Sequence, residues 1–229
     1  MEAAAAKPRH ELKHMINTAD HAVLSRRVRR IARPDAHLGE NGTYRIKSLY
    51  FDNINDKALR EKNDGLARRE KFRIRYYNDD DSFVRLEKKS KIGDLCYKDS
   101  APITREQTEK IIAGDISWMT VSDSPLIAEL YAKMKFQGLK PRCIVYYVRE
   151  AYTYPAGNVR ITFDYDIRTG LYSTDFFNPN RPLIPVPDAP TILEVKFDEF
   201  IPSVITDIIQ TNTRSASAFS KYGACRLYD

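Results

Sequence analysis

The sequence has no long apolar run. The longest, residues 143–148, falls far short of the ~20 residues a membrane-spanning helix needs and reads as a buried strand. Cysteine is scarce: the 3 present, Cys96, Cys143 and Cys225, are odd in number and lack CxxC spacing. That argues against a disulfide scaffold or a thiolate zinc site and for a reduced, cytoplasmic protein. The 9 glycines form neither a P-loop nor a Gly-x-Gly-x-x-Gly turn, which excludes nucleotide binding on a glycine-rich cradle. The 4 histidines, His10, His14, His21 and His37, show no metal-ligand spacing. Repeats and low-complexity tracts are absent, and the one proline cluster, in residues 179–190, reads as a loop. No basic segment precedes an apolar core at the start, so no signal peptide is expected. Residues 1–6 read as an extension or linker before a single domain over 7–229.

What the sequence does have is charge. Lys and Arg number 37 against 31 Asp and Glu, a net +6 with 42% hydrophobic residues in 229. This is a globular composition with a basic excess that suits an anionic partner.

Four helices are expected. Thr18 opens one with Leu24, Val28 and Ile31 on one face, while Arg26, Arg27, Arg29, Arg30 and Arg33 occupy the other. Those arginines read as a solvated helix face, with an outer docking patch for a polyanion or an anionic membrane as the alternative. Thr104 and Gln107 form a capping box for a helix ending near Gly114. Ser124-Pro125 starts a helix that Gly138 stops, and a shorter one begins near Pro202.

Seven segments alternate with period two: 9–13, 44–47, 72–76, 84–89, 142–149, 159–164 and 193–197. The class is therefore α+β with a mostly antiparallel sheet. The charged parity carries Arg9, Lys13, Arg45, Lys47, Arg73, Arg75, Arg85, Lys89, Arg149, Arg160 and Lys196, with Glu11, Glu87, Asp164 and Glu194 among them. Alternation alone fits either a wet outer face or an inward-facing barrel lining. Two features favour the lining: Thr, Ser and Gln are rare on these faces, and Glu-x-Lys recurs at 11/13, 87/89 and 194/196. Such pairs share a face roughly 7 Å apart. A lining of this kind holds a long polyanion, with Arg and Lys on phosphates and carboxylates on a bridging divalent cation.

The ordered set Arg9-His10-Glu11-Leu12-Lys13, Ser48-Leu49-Tyr50-Phe51-Asp52, Lys71-Phe72-Arg73-Ile74-Arg75, Leu86-Glu87-Lys88-Lys89, Tyr147-Val148-Arg149, Arg160 to Asp164, Leu193-Glu194-Val195-Lys196 and Phe219-Ser220-Lys221-Tyr222 resembles the VTC-type polyphosphate polymerase domain. That domain is a branch of the triphosphate tunnel metalloenzymes. The resemblance implies an eight-stranded, mostly antiparallel β-barrel, a tunnel with a charged interior and flanking helices. It implies transfer of the γ-phosphoryl of ATP to a growing inorganic polyphosphate chain with one divalent metal, Mn²⁺ or Mg²⁺, and pyrophosphate as a candidate primer. Arg73, Arg75, Lys89, Arg149 and Arg160 take the catalytic phosphate contacts by this resemblance. By the same resemblance Lys13, Lys98, Ser220 and Lys221 take further phosphate-binding places and Glu194 the metal. The alternating charge pattern adds Arg45, Lys47 and Lys196 as phosphate-binding residues and Glu11, Glu87 and Asp164 in supporting roles. A separate membrane partner for export is implied, and no nucleic acid.

Other readings remain open from the sequence: a tripolyphosphate or nucleoside-triphosphate hydrolase on the same fold, and a non-catalytic polyphosphate-binding module. Arg9 stands where the superfamily's hydrolases carry a first-strand carboxylate, which disfavours the hydrolase.

Overall fold

The computed structural model describes residues 9–93, 95–210 and 219–227. The extension expected over residues 1–6 lies outside them. The chain begins with β1 (His10–Ile16), α1 (Thr18–Val28), β2 (Arg33–Pro34), β3 (Tyr44–Asp52), α2 (Lys57–Asn63), β4 (Arg68–Tyr77), β5 (Asp80–Ile92) and β6 (Leu95–Ile103). It continues with α3 (Arg105–Ala113), α4 (Pro125–Gln137), β7 (Lys140–Tyr154), β8 (Val159–Thr169), β9 (Ile184–Pro185), β10 (Thr191–Phe197), α5 (Ser203–Ile209) and α6 (Lys221–Cys225).

Local chemistry explains the helix boundaries. The side chains of Thr104 and Gln107 exchange hydrogen bonds with each other's backbone N–H at the start of α3, and Gly114 ends it at φ 85°. Pro125 opens α4 and Gly138 closes it at φ 65°. α1 differs slightly from expectation. Its cap is Asn17, reciprocated by Asp20, and the helix stops at Val28, so Arg30 and Arg33 lie beyond it.

Eight strands form one antiparallel path in the order β1-β10-β8-β7-β3-β4-β5-β6, with β2 added on β7 and β9 on β8. β1 and β5 are six strand spacings apart on this path, which a flat sheet would make about 29 Å. Yet Glu11 Oε2 on β1 lies 3.3 Å from Lys89 Nζ on β5. The sheet is therefore curled into a half-barrel, in keeping with the expected tunnel, and β1 meets β5 through side chains.

Helices cover the outside. Leu49, Phe72, Ile74 and Leu86 pack against Ile111 of α3 and Leu130 of α4. Phe163, Leu193 and Val195 pack against Leu24 and Val28 of α1 and Ile205 of α5. Inside, α6 lies against the central strands, with Tyr222 and Cys225 among Tyr50, Cys143, Val145 and Tyr147. The inner face is thus divided: aromatic and apolar on β3 and on β7 up to Tyr147, charged at Arg149 of β7 and on the strands to either side. No helix among the described residues is long and apolar enough to cross a membrane. Among the described residues no disulfide joins the three cysteines.

Candidate functional site

Register decides which charged residues meet. Lys13 faces Glu194 and Glu11 faces Lys196 across β1 and β10. Arg149 faces Asp164 across β7 and β8, and Arg73 faces Glu87 across β4 and β5. Directly opposed residues of antiparallel strands share a face, so all of these point inward.

Two clusters result. In the first, Lys13 contacts Glu11 and lies 3.3 Å from Glu194, while Lys196 Nζ lies 3.0 Å from Glu194 and 3.6 Å from Glu11. Lys89 joins through Glu11. Burial opposes ionisation of Glu194, but Lys196 and Lys13 outweigh it and hold the carboxyl well below its ordinary range. Glu11 is lowered as well: Lys13, Lys89 and Lys196 overcome burial and the repulsion of Glu194. Lys13 is raised, since both carboxylates overcome its burial.

The second cluster is deeper. Arg73 donates to Glu87 at 2.7 Å and to the Tyr50 hydroxyl at 2.8 Å. Arg75 donates to Ser48 and to the Tyr147 hydroxyl, each at 3.1 Å. Lys98, on the exposed edge strand β6, reaches Glu87 at 2.6 Å. Glu87 is buried, and Arg73, Arg75 and Lys98 overcome that burial to hold it far below the usual carboxylate range. Arg149 grips Asp164 with two bonds of 2.5 and 2.7 Å, and Lys221 reaches the same carboxylate at 2.6 Å. Arg160 stands at one rim, bonded to Asp35 and to the Tyr44 hydroxyl at 3.0 Å each.

Arg45 and Lys47 do not join this assembly. They occupy the parity of Leu49 and Phe51, on the outer face of β3. Arg45 pairs with Asp79 at 2.9 Å, and Lys47 lies over the Tyr76 ring. β3 is a central strand whose inner parity is Tyr44, Ile46, Ser48 and Tyr50, so charge alone assigned its faces the wrong way round. Ser220 caps α6, accepting from the Gly223 N–H at 3.2 Å. Arg9 turns to Asp198 at 2.8 Å.

Three inner-face residues escaped the sequence reading. Tyr50 stacks on Tyr222 with ring centroids 5.1 Å apart, and Lys71 lies over the Tyr50 ring at 5.4 Å. Burial opposes ionisation of the Tyr50 phenol, but Arg73, Lys71 and Arg75 bring its pKa down to about 7. Burial, helped by Arg73 and opposed by Tyr50, brings Lys71 down to about 8. Tyr147 supports Arg75 and lies under Lys221 at 4.7 Å. Parity with Arg73 marks Lys71; the two tyrosines look like core residues in sequence.

A divalent cation would find Glu11 and Glu194, which share the same two lysines. Among the described residues no group of three or more His, Cys, Asp or Glu forms a cage. Two carboxylates suit Mg²⁺ or Mn²⁺ arriving with phosphate oxygens to complete its shell, rather than a preformed protein site.

A family model described as the VTC domain matches residues 8–228. No curated protein matches the chain significantly. Two solved structures share the fold. One, from Hippeastrum, is described as a candidate adenylyl cyclase with a dominant triphosphatase activity; it matches with a TM-score of 0.56 and 15% identity over 95% of this chain and 94% of that one. The other, described as a candidate adenylate cyclase from Bacillus halodurans, matches with a TM-score of 0.50 and 10% identity over 83% and 80%.

Proposed function

The chain belongs to the VTC domain family, and from that premise we propose that it is a polyphosphate polymerase that elongates inorganic polyphosphate with the γ-phosphoryl of ATP. Family membership and the tunnel-like fold support a polyphosphate- or triphosphate-handling function. The observation that carries the finer reading is the inward convergence of Lys13, Arg73, Arg75, Lys89, Arg149, Lys196 and Lys221 on four carboxylates.

The chemistry asks little covalent help from the protein. A terminal phosphate oxygen of the chain attacks the γ-phosphorus, the bond to the β-bridging oxygen breaks, and ADP departs. That attacking oxygen is already ionised, so no general base is required. The arginines and lysines align the phosphates and neutralise charge as it shifts to the leaving oxygen. In this reading Arg73 and Arg75, fixed by Tyr50, Ser48 and Tyr147, hold phosphate deep in the sheet. Arg149 and Lys221, set by Asp164, hold it from the opposite wall. Glu194 and Glu11 would hold a Mn²⁺ or Mg²⁺ ion carried by the phosphates, which supplies further charge neutralisation.

The same inner face would serve a hydrolase if water replaced the phosphate acceptor. One incubation with ATP and Mn²⁺, reading polymer and orthophosphate together, separates the two. Polymer that disappears in Glu194→Gln is the expected result. Orthophosphate without polymer would move the assignment to the hydrolase, and polyphosphate binding without turnover would leave a binding module.

A further inference from the structure

In the sequence Arg33 continues a run of helix arginines, but the fold separates it from them. α1 ends at Val28, and Arg29 folds back to the Tyr152 hydroxyl at 2.6 Å on the outer wall. The chain then crosses the rim and lays β2 along the end of β7, where Arg33 stands opposite Thr153. Thr153 stands opposite Arg160, Arg160 opposite Lys196, and Lys196 opposite Glu11. Opposed residues of antiparallel strands point to one face. Arg33 therefore belongs to the inner rung that carries Arg160, Lys196 and Glu11. Asp35 supplies an independent check. It lies two residues further on, so it shares that face, and its carboxylate is 3.0 Å from Arg160.

Arg33 differs from its rung neighbours in one respect. Arg160 has Asp35, and Lys196 has Glu194 and Glu11. Arg33 is exposed and has no side-chain hydrogen bond or ion pair among the described residues. It lies two strand spacings, about 10 Å, from Arg160. Thr153, which Arg33 and Arg160 flank on either side, is four residues, about 13 Å, along β7 from Arg149 and its partner Asp164. A short phosphate ligand held at Arg149 and Arg73 does not reach this rim, whereas a long chain leaving past Arg160 does.

We propose that Arg33 is a further polyphosphate-binding residue, on the same outer rung as Arg160, and that it favours long chains over short ones. The proposal rests on the polyphosphate reading above. A guanidinium without a counter-ion can take two phosphate oxygens without first breaking an ion pair.

The test measures binding of tripolyphosphate and of long-chain inorganic polyphosphate by calorimetry at fixed ionic strength, without nucleotide. Arg33→Gln should weaken the long chain by about five-fold, the size of one exposed ion pair, and tripolyphosphate by clearly less. Arg33→Lys should keep most of the long-chain affinity. Arg26→Gln, which removes an exposed α1 arginine, is the control for general charge. Equal losses for both ligands, no loss for either, or the same loss in Arg26→Gln would overturn the proposal. Arg73→Ala reports on the parent reading separately. If it leaves both ligands bound as before, the inner face is not the polyphosphate site, whatever Arg33 does.

Discussion

Glu87 shows how much a single inner residue supports. It is 3% exposed and faces Arg73, Arg75 and Lys98. Removing Arg75, the buried partner, typically costs about 3–5 kcal/mol, because the buried Glu87 charge is left less compensated. On the proposed reading, a phosphate chain beside Arg73 and Arg75 would meet cations that Glu87 already aims and holds. Tyr50 and Lys71 make the same face sensitive to pH. As pH rises, Tyr50 becomes an anion near 7 and Lys71 loses its charge near 8. Both changes remove positive charge, while the interior phosphates of a long chain stay ionised. Polyphosphate affinity should therefore fall between pH 6 and 9, and Tyr50→Phe should abolish the lower step and keep the upper one. Calorimetric titrations across that range decide the matter, and a flat wild-type profile would contradict it. Stability runs the other way. Between the native and ordinary pKa values of each group the unfolded chain holds more protons, so the fold gains stability with rising pH. For Tyr50 that gain is complete above 10.0 and lost as pH falls through about 7.

At the scale of elements, caps and edges behave differently. The α3 capping box was readable from Thr104 and Gln107, because its hydrogen bonds close within four residues. Thr104→Ala should lower unfolding stability by about 1 kcal/mol in denaturant titration. It should leave polyphosphate binding intact, since α3 packs on the outer wall; a loss of binding would show that the wall and inner face are coupled. β6 was not legible. In Leu95–Ile103 the apolar parity of Leu95, Tyr97, Ala101 and Ile103 is broken by Asp99, and the segment contains Pro102, which only an edge strand accommodates. α2 offered no signal either, since none of its residues is buried. α6 has five residues, too few to be stable alone. It is held by Tyr222 on Asp52 at 2.8 Å and by Arg226 on Asp56 at 2.9 Å, contacts 170 residues apart in sequence.

For the whole molecule, the inner face carries cations of its own in Lys13, Arg73, Arg75, Lys89, Arg149, Lys196 and Lys221. Chelation with EDTA should therefore stop ATP-dependent turnover while polyphosphate still binds. That affinity should decline with added salt, as charge neutralisation on the inner face requires. Loss of binding in EDTA would mean that the carboxylates repel the chain unless a cation covers them.

Much of the architecture is written in local pattern. Alternation identified seven of the strands, capping residues placed the ends of α3 and α4, and Glu11, Glu87, Asp164 and Glu194 stood out beside their basic neighbours. Pattern divides a strand into two faces but cannot say which face turns inward. On β3 the charged parity faces out, so Arg45 and Lys47 leave the cluster while Tyr50 enters it. Nor can pattern bring Glu11 to Lys89, 78 residues away, or set Arg33 on the rung of Arg160. Side-chain alternation depends only on neighbouring residues. Register and curl depend on how distant strands pair and on which face the helices cover, and only the tertiary structure decides those.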